Sequence, residues 1–243
     1  MNTIEYGQGA VNNTIGWGQG AKVGSSFSNT KSILLDGVDD KVDCGNPSSL
    51  QITGNITLSA WFKTTSSNTQ TIIGKDSINS NTRSFLLLVI SGVARFIIFK
   101  SNSSNFISGT STVNDGNWHH VLGVNDGTNL KIYVDGVLEG TNNGGGGTID
   151  NGTSDFNIGS RDASGQSIRF NGVIDEVAVW NSDQSANASA IGGTIPTDLS
   201  AYNPLSWWRC GDGDTAPTLL DNGSASNNGT MENFSTFSTD VPT

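Results

Sequence analysis

A retaining glycosidase needs two carboxyl groups about 5 Å apart. The glutamates of this chain are Glu5, Glu139, Glu176 and Glu232, too scattered for two to share one strand face. Asp175 directly precedes Glu176. Residues 173–180 (VIDEVAVW) read as a strand, however, whose successive side chains project to opposite faces. The two acids are therefore expected to diverge and to share no substrate. His119 and His120 are expected to diverge for the same reason, each in a core or hydrogen-bonding role and not as joint metal ligands. No Gly-x-Ser-x-Gly elbow offers a nucleophile. Gly144-Gly145-Gly146-Gly147 precedes no helix start, so it cradles no phosphate and is expected as a loop, mobile or very tight. The chain reads as a non-enzyme.

Oxygen-rich turns offer a different chemistry. Ca²⁺ takes six to eight hard oxygens from carboxylates, amide carbonyls and backbone. Two clusters qualify: Asp221 with Asn222 and Asn228, joined by Asp175, and Asp212-Gly213-Asp214. The alternative for both is a turn that caps itself through its own backbone N–H groups. A sugar site would instead combine an aromatic face with amides and charged groups on loops. The loops that carry them supply Asp76, Asn79, Asn102, Asn105, Arg161 and Asp162. The aromatic candidate is Trp61: Ile56, Leu58, Ala60 and Phe62 alternate with Thr57, Ser59, Trp61 and Lys63, which turns Trp61 away from the main core. It either packs under a loop or lies open in a groove.

Strands must position these groups, and residues 118–137 (WHHVLGVNDGTNLKIYVDGV) show how. Leu130, Ile132 and Val134 alternate with polar neighbours as in a half-buried strand. The preceding run is apolar on both sides, and its inward face is undecided. Asn125-Asp126-Gly127-Thr128-Asn129 and Asp135-Gly136 provide turn residues, so two successive hairpins are expected. This stretch resembles the central hairpin of the laminin-G-like jelly rolls, in the concanavalin A-like lectin and glucanase superfamily. Residues 35–40 (LDGVDD), 56–63 (ITLSAWFK), 156–161 (FNIGSR) and 174–181 (IDEVAVWN) resemble the same family in order, across residues 32–191. The resemblance implies an all-β antiparallel sandwich. That fold hosts lectins, glycosidases and adhesion modules alike. Its glucanases carry Glu-x-Asp-x-x-Glu, a spacing absent here, and related jelly rolls hold a structural Ca²⁺ near a loop like that of Asp221. In many of them an aromatic strand and an Asp-Ser-Gly-Asn-Gly loop open the domain. Here the similar pattern, Ser206-Trp207-Trp208-Arg209 with residues 221–230, comes last. The expectation is a permuted sandwich completed by its C-terminal strand.

Composition agrees with many short strands and tight turns: 31 glycines and only 14% charged residues in 243. A net charge of -10 with no basic stripe argues against nucleic acid, whose phosphates need clustered Lys and Arg. Applied to sugars, it argues for neutral glycans. No apolar run reaches the length of a membrane span, and residues 1–5 lack the basic start of a signal peptide. Cys44 and Cys210 are read as either paired or two buried thiols. Residues 1–30 form a Gly-rich segment in which Tyr6-Gly-Gln-Gly-Ala recurs as Trp17-Gly-Gln-Gly-Ala, read either as a flexible leader or as an attachment segment docked through Tyr6 and Trp17. Residues 31–243 form the sandwich. A free-standing jelly roll with such a leader resembles bacteriophage virion proteins of heads and fibre tips. The expected partners are cell-surface carbohydrate, other virion proteins and further copies in a homo-oligomer. The competing classes are a purely structural virion protein and a polysaccharide-degrading enzyme.

Overall fold

The computed structural model describes residues 27–77, 82–161 and 168–243. The strands before the first long hairpin are β1 (Ser32–Asp36), β2 (Lys41–Asp43), β3 (Ile56–Lys63), β4 (Gln70–Lys75), β5 (Phe85–Ile90), β6 (Val93–Lys100) and β7 (Ser103–Ser108). There follow β8 (Trp118–Asn125), β9 (Leu130–Val134), β10 (Val137–Asn142), β11 (Asn157–Ile158), β12 (Ser160–Arg161), β13 (Ile168–Arg169) and β14 (Asn171–Trp180). The C-terminal strands are β15 (Ser206–Trp208), β16 (Thr218–Leu219), β17 (Gly229–Glu232) and β18 (Phe237–Ser238). One sheet runs β10-β9-β8-β3-β14-β1-β18, with β15 paired to the far half of β14; the other runs β16-β17-β2-β11-β4-β5-β6-β7. The pairs within them are antiparallel. The architecture is the expected all-β antiparallel sandwich.

Alternation builds the core. Ile56, Leu58, Ala60 and Phe62 of β3 meet Phe85, Leu87 and Val89 of β5 between the sheets. The hairpins β8–β9–β10 form as their turn residues dictate. The undecided face of β8 resolves through Gly123: a Cβ there would lie 2.6 Å from the Phe96 ring, so this side of β8 receives the facing sheet. Leu122 and Val124 instead join Trp180, Trp207 and Leu199 in a second apolar layer on the outside of the first sheet. That layer is covered by a 3-10 turn (Ser185–Asn187), the single-turn helix α1 (Ala188–Ile191) and a second 3-10 turn (Leu199–Tyr202). Residues 185–191 thus form a 3-10 turn joined to one α turn, stopped at Gly192. The four-glycine run is tight: Gly146 N–H donates to Thr128 O at 2.9 Å and Gly147 N–H to Asn125 Oδ1 at 3.0 Å.

The C-terminal segment feeds both sheets, through β15 and β18 into the first and β16 and β17 into the second. Trp208 is 0% exposed, stacks on Phe156 with centroids 5.3 Å apart, and donates from Nε1 to Asn227 O at 2.8 Å. At the other end the chain joins the body by residue 27: Phe27 stacks on Trp207, and Thr30 binds Asp212 through its N–H and hydroxyl. Cys44 and Cys210 are free and buried, and burial raises both thiols well above their ordinary range.

Removing residues 204–243 deletes strands from both sheets and should abolish the cooperative melt. Trp208→Ala should cost about 3–5 kcal/mol, the usual range for a buried aromatic truncated to Ala, read as a fall in the urea midpoint at constant slope.

Candidate functional site

Strand β7 ends one sheet and β10 ends the other, and these two unpaired edges lie side by side. Between them opens a groove of about 510 Å³. In β7 (SSNFIS), Ile107 turns toward the core, and Phe106 turns to the outer face, where it pairs with Ile97 and stays 46% exposed. The groove is lined by Phe106 with Asn105, Ser104, Thr141, Asn142 and Asn143, an aromatic ring among amides and hydroxyls. Asn142 Nδ2 donates to Phe106 O at 2.9 Å and ties the edges together. Gly140, at a bulge in β10, permits the close approach, because a Cβ there would lie 2.9 Å from Ile107 Cδ1. Arg95 flanks the groove: its guanidinium lies 4.5 Å from the centre of the Phe106 ring, and its Nε donates to Ser108 Oγ at 2.8 Å. An exposed ring can stack on the C–H face of a pyranose, while Asn amides, with donors and acceptors side by side, match vicinal hydroxyls.

The structure separates the sequence candidates. Asn105 lines it. Asn102 stands in the β6–β7 turn with its N–H on Asp150 Oδ2. Trp61 is corrected: it does face away from the main core, but only 4% of it is exposed, because the covering segment buries it beside His120, Pro196 and Leu199. Asp76 is likewise no open acceptor. It is buried between Arg83 at 3.1 Å and Arg161 at 3.0 Å, which also engages Arg161. Asn79, Asp162, Tyr6 and Trp17 lie outside the described residues. Phe106, Asn142, Asn143 and Arg95 were not anticipated. The available signal was a lone aromatic in an otherwise polar strand.

The acid pair also departs from expectation. In β14 the register against β3 shifts between Asp175 and Ala178, and Glu176 takes φ +47. This bulge sends Ile174, Val177 and Val179 to the core and leaves both Asp175 and Glu176 on the outer side, buried. Asp175 Oδ2 accepts from Asn29 Nδ2 at 2.8 Å; Glu176 accepts from Trp207 Nε1 at 2.5 Å and Arg209 Nε at 3.2 Å. Burial, then the neighbouring Glu176 charge, holds the Asp175 carboxyl well above its usual range, and burial pushes Glu176 up to about 7 despite Arg209. Beside Trp61, His120 Nε2 lies 2.7 Å from Ser59 Oγ, and burial pushes the His120 ring down to about 3, so it stays neutral. His119 points the other way, between Asp135 at 2.9 Å and Asp115 at 3.2 Å; the Asp135 hydrogen bond raises its pKa. The two histidines diverge as expected.

Because Glu176 keeps a proton in the fold between 4.5 and about 7 that the unfolded chain releases, its contribution is complete below pH 4.5 and lost as pH rises through about 7. Glu176→Gln retains an acceptor for Trp207 and cannot ionise. Relative to this variant, the wild type should lose on the order of 2–3 kcal/mol between pH 5 and pH 8, read from paired urea melts.

Calcium does not fit the Asp221 loop. Asp221 Oδ1 accepts from the N–H groups of Trp207 and Gly223, both at 2.7 Å, and Oδ2 from that of Asn227 at 2.7 Å. Asn228 Oδ1 accepts from Asp221 N–H, and the Asn222 amide donates to carbonyls of Trp207 and Leu220. Backbone donors thus converge where a cation would sit, and Asp175, the fourth member of the expected set, has its partners elsewhere. Asp212 and Asp214 cap Thr30, Gly211 and Leu220 in the same way. Among the described residues, the acidic ligand atoms that converge within 4.8 Å are those of Asp36, Asp39 and Asp40 in the β1–β2 turn. Asp221→Ala should therefore lower stability by about 2–4 kcal/mol through orphaned N–H groups, equally with calcium and with EDTA.

A family model described as the concanavalin A-like lectin/glucanases superfamily, of laminin-G type, matches residues 36–188. No curated protein sequence matches the chain. Among solved structures, a presumed carbohydrate binding protein from Bacteroides ovatus superposes with a TM-score of 0.68 at 18% identity, covering 89% of this chain and 62% of that one, so the chain spans less than two thirds of that protein. The CBM40 of the Ruminococcus gnavus IT-sialidase, bound to α2,3-sialyllactose, gives 0.58 at 17% identity over 67% of this chain and 97% of that one. A heptameric SAP-like pentraxin from Limulus polyphemus gives 0.52 at 19% identity over 69% and 84%. At these identities the likeness is one of fold.

Proposed function

The chain belongs to the concanavalin A-like lectin/glucanases superfamily, and we propose that it is a non-catalytic carbohydrate-binding module whose site is the groove between β7 and β10. One observation carries this reading: Phe106, 46% exposed on an edge strand, stands in an open groove walled by Asn105, Asn142 and Asn143. A soluble fold tends to bury such a ring, and an aromatic with convergent amides is the usual composition of a sugar subsite. The fold neighbours support the reading from outside the chain, since two of them have names that tie them to carbohydrate. The acids of β14 do not compete with it. Asp175 and Glu176 are sealed from solvent and bound to Asn29, Trp207 and Arg209, where no polysaccharide reaches them.

Such a groove is shallow and binds weakly. A millimolar to micromolar Kd corresponds to only about -4 to -8 kcal/mol, so adhesion requires many copies presented together. Our fuller reading takes that presentation from the resemblance of the sequence to virion proteins. The module stands in many copies on a particle surface, held through the segment before residue 27, and engages cell-surface glycans. Phe106→Ala should weaken glycan binding at least tenfold while leaving the melting temperature within a few degrees, measured by titration of glycans identified on an array. Undiminished binding by this variant would place the site elsewhere.

A further inference from the structure

We infer that the saccharide bound in the β7–β10 groove carries a carboxylate, received by the guanidinium of Arg95; this rests on the groove being a saccharide site. The arginines of the chain are Arg83, Arg95, Arg161, Arg169 and Arg209. Arg83 and Arg161 share Asp76, at 3.1 and 3.0 Å. Arg209 meets Glu176 at 3.2 Å and Asp212 at 3.4 Å. Arg169 donates to Ser160 Oγ at 2.7 Å and lies close enough to Asp40 to oppose the rise that burial causes in that carboxyl's pKa. Arg95 has no carboxylate partner among the described residues, in a protein where 22 acids face 12 bases.

Its position is nevertheless fixed. The Phe106 ring supports the guanidinium plane, and Ser108 Oγ holds Nε. The two terminal NH₂ groups remain, four N–H donors in a rigid fork with no protein acceptor among the described residues. That fork matches a planar carboxylate, which it can bind through two parallel hydrogen bonds. Because the ring and the fork are in contact, a sugar that reaches the open part of Phe106 brings an acidic substituent to Arg95 without further ordering. Asn105 and Asn142 then remain for hydroxyls. The net charge of -10, which taken alone argues for neutral glycans, does not decide the matter. At physiological salt its field is screened over about 8 Å, and the charged group in contact with the Phe106 ring is Arg95.

The test uses matched pairs of glucuronate-, galacturonate- and sialate-containing oligosaccharides and their methyl esters, which differ in the carboxylate charge. Kd is measured by titration, and binding is followed at the Arg95 Nε–H and groove amide resonances. The acid member of at least one pair should bind ten times more tightly than its ester. Arg95→Gln should reduce that preference to within twofold with ester binding unchanged, and Arg95→Lys, which keeps charge without the fork, should fall between. Acids and esters binding the groove equally, with Arg95→Gln silent, would overturn the carboxylate inference and leave the glycan reading standing. If no saccharide moves a groove resonance, both readings fall together.

Discussion

The indole of Trp208 ties the two sheets together at the C-terminal junction. The residue sits on β15, a strand of the first sheet, yet its ring stacks on Phe156, which leads into β11 of the second. Its N–H reaches the carbonyl of Asn227, so the loop before β17 is fixed by the same side chain. Asp221 tightens that loop from the other direction by gathering the N–H groups of Trp207, Gly223 and Asn227. The buried side-chain polar atoms of Trp207, Trp208, Asp221 and Asn227 all have partners, which is what burial at this depth demands. The oxygen-rich turn is better understood as the solution to a packing problem than as a ligand cage.

Much of the fold was legible because it depends on neighbours in sequence. The hairpins of β8, β9 and β10 follow from Asn, Asp and Gly at their turns, and Trp207 and Trp208 announced their burial by their size. The bulge in β14 was legible too, had its phase been followed: Ile174 and Val177 are three apart, then Val177 and Val179 two apart, and only an extra residue reconciles them on one face. A strict alternation instead puts the two acids on opposite sides. Other departures arise from contacts distant in sequence. Trp61 does face outward from the core, as the pattern implies, but nothing local tells that residues near Pro196 and Leu199 fold over it. Asp76 looks like an open loop acid until Arg161, far along the chain, comes to lie beside it. The groove itself depends on which strands end the sheets, a property of topology that the polar composition of β7 hints at without locating its partner.

The outside of the first sheet and the edge of the second therefore have opposite characters. On the first, Asp175, Glu176 and His120 are enclosed, and their ionisation is governed by burial and by one another. Such a layer organises the cover that lies over it; Gly192 approaches His120 so closely that a Cβ would lie 2.2 Å from Nδ1. At the β7–β10 edge the polar groups are open, and hydrogen bonds such as Asn142 Nδ2 to Phe106 O and Arg95 Nε to Ser108 Oγ hold them in place. The fold encloses the two acids of β14 and presents a guanidinium and amides at the β7–β10 edge. Strand edges normally invite pairing with another chain; the bulge in β10 and the Ser-Asn content of β7 make these edges poor templates for that, which leaves them accessible to small polar ligands.

Cys44 and Cys210 give the molecule one more property. Both are packed in the sandwich core with thiols that burial holds in the protonated form. Since the thiolate is the species that exchanges disulfides and reacts with oxidants, neither sulfur is poised to react while the sandwich is closed. The fold owes nothing to a cross-link, and neither thiol is open to solvent. A change of redox surroundings therefore leaves these two side chains as thiols for as long as the sandwich stays closed.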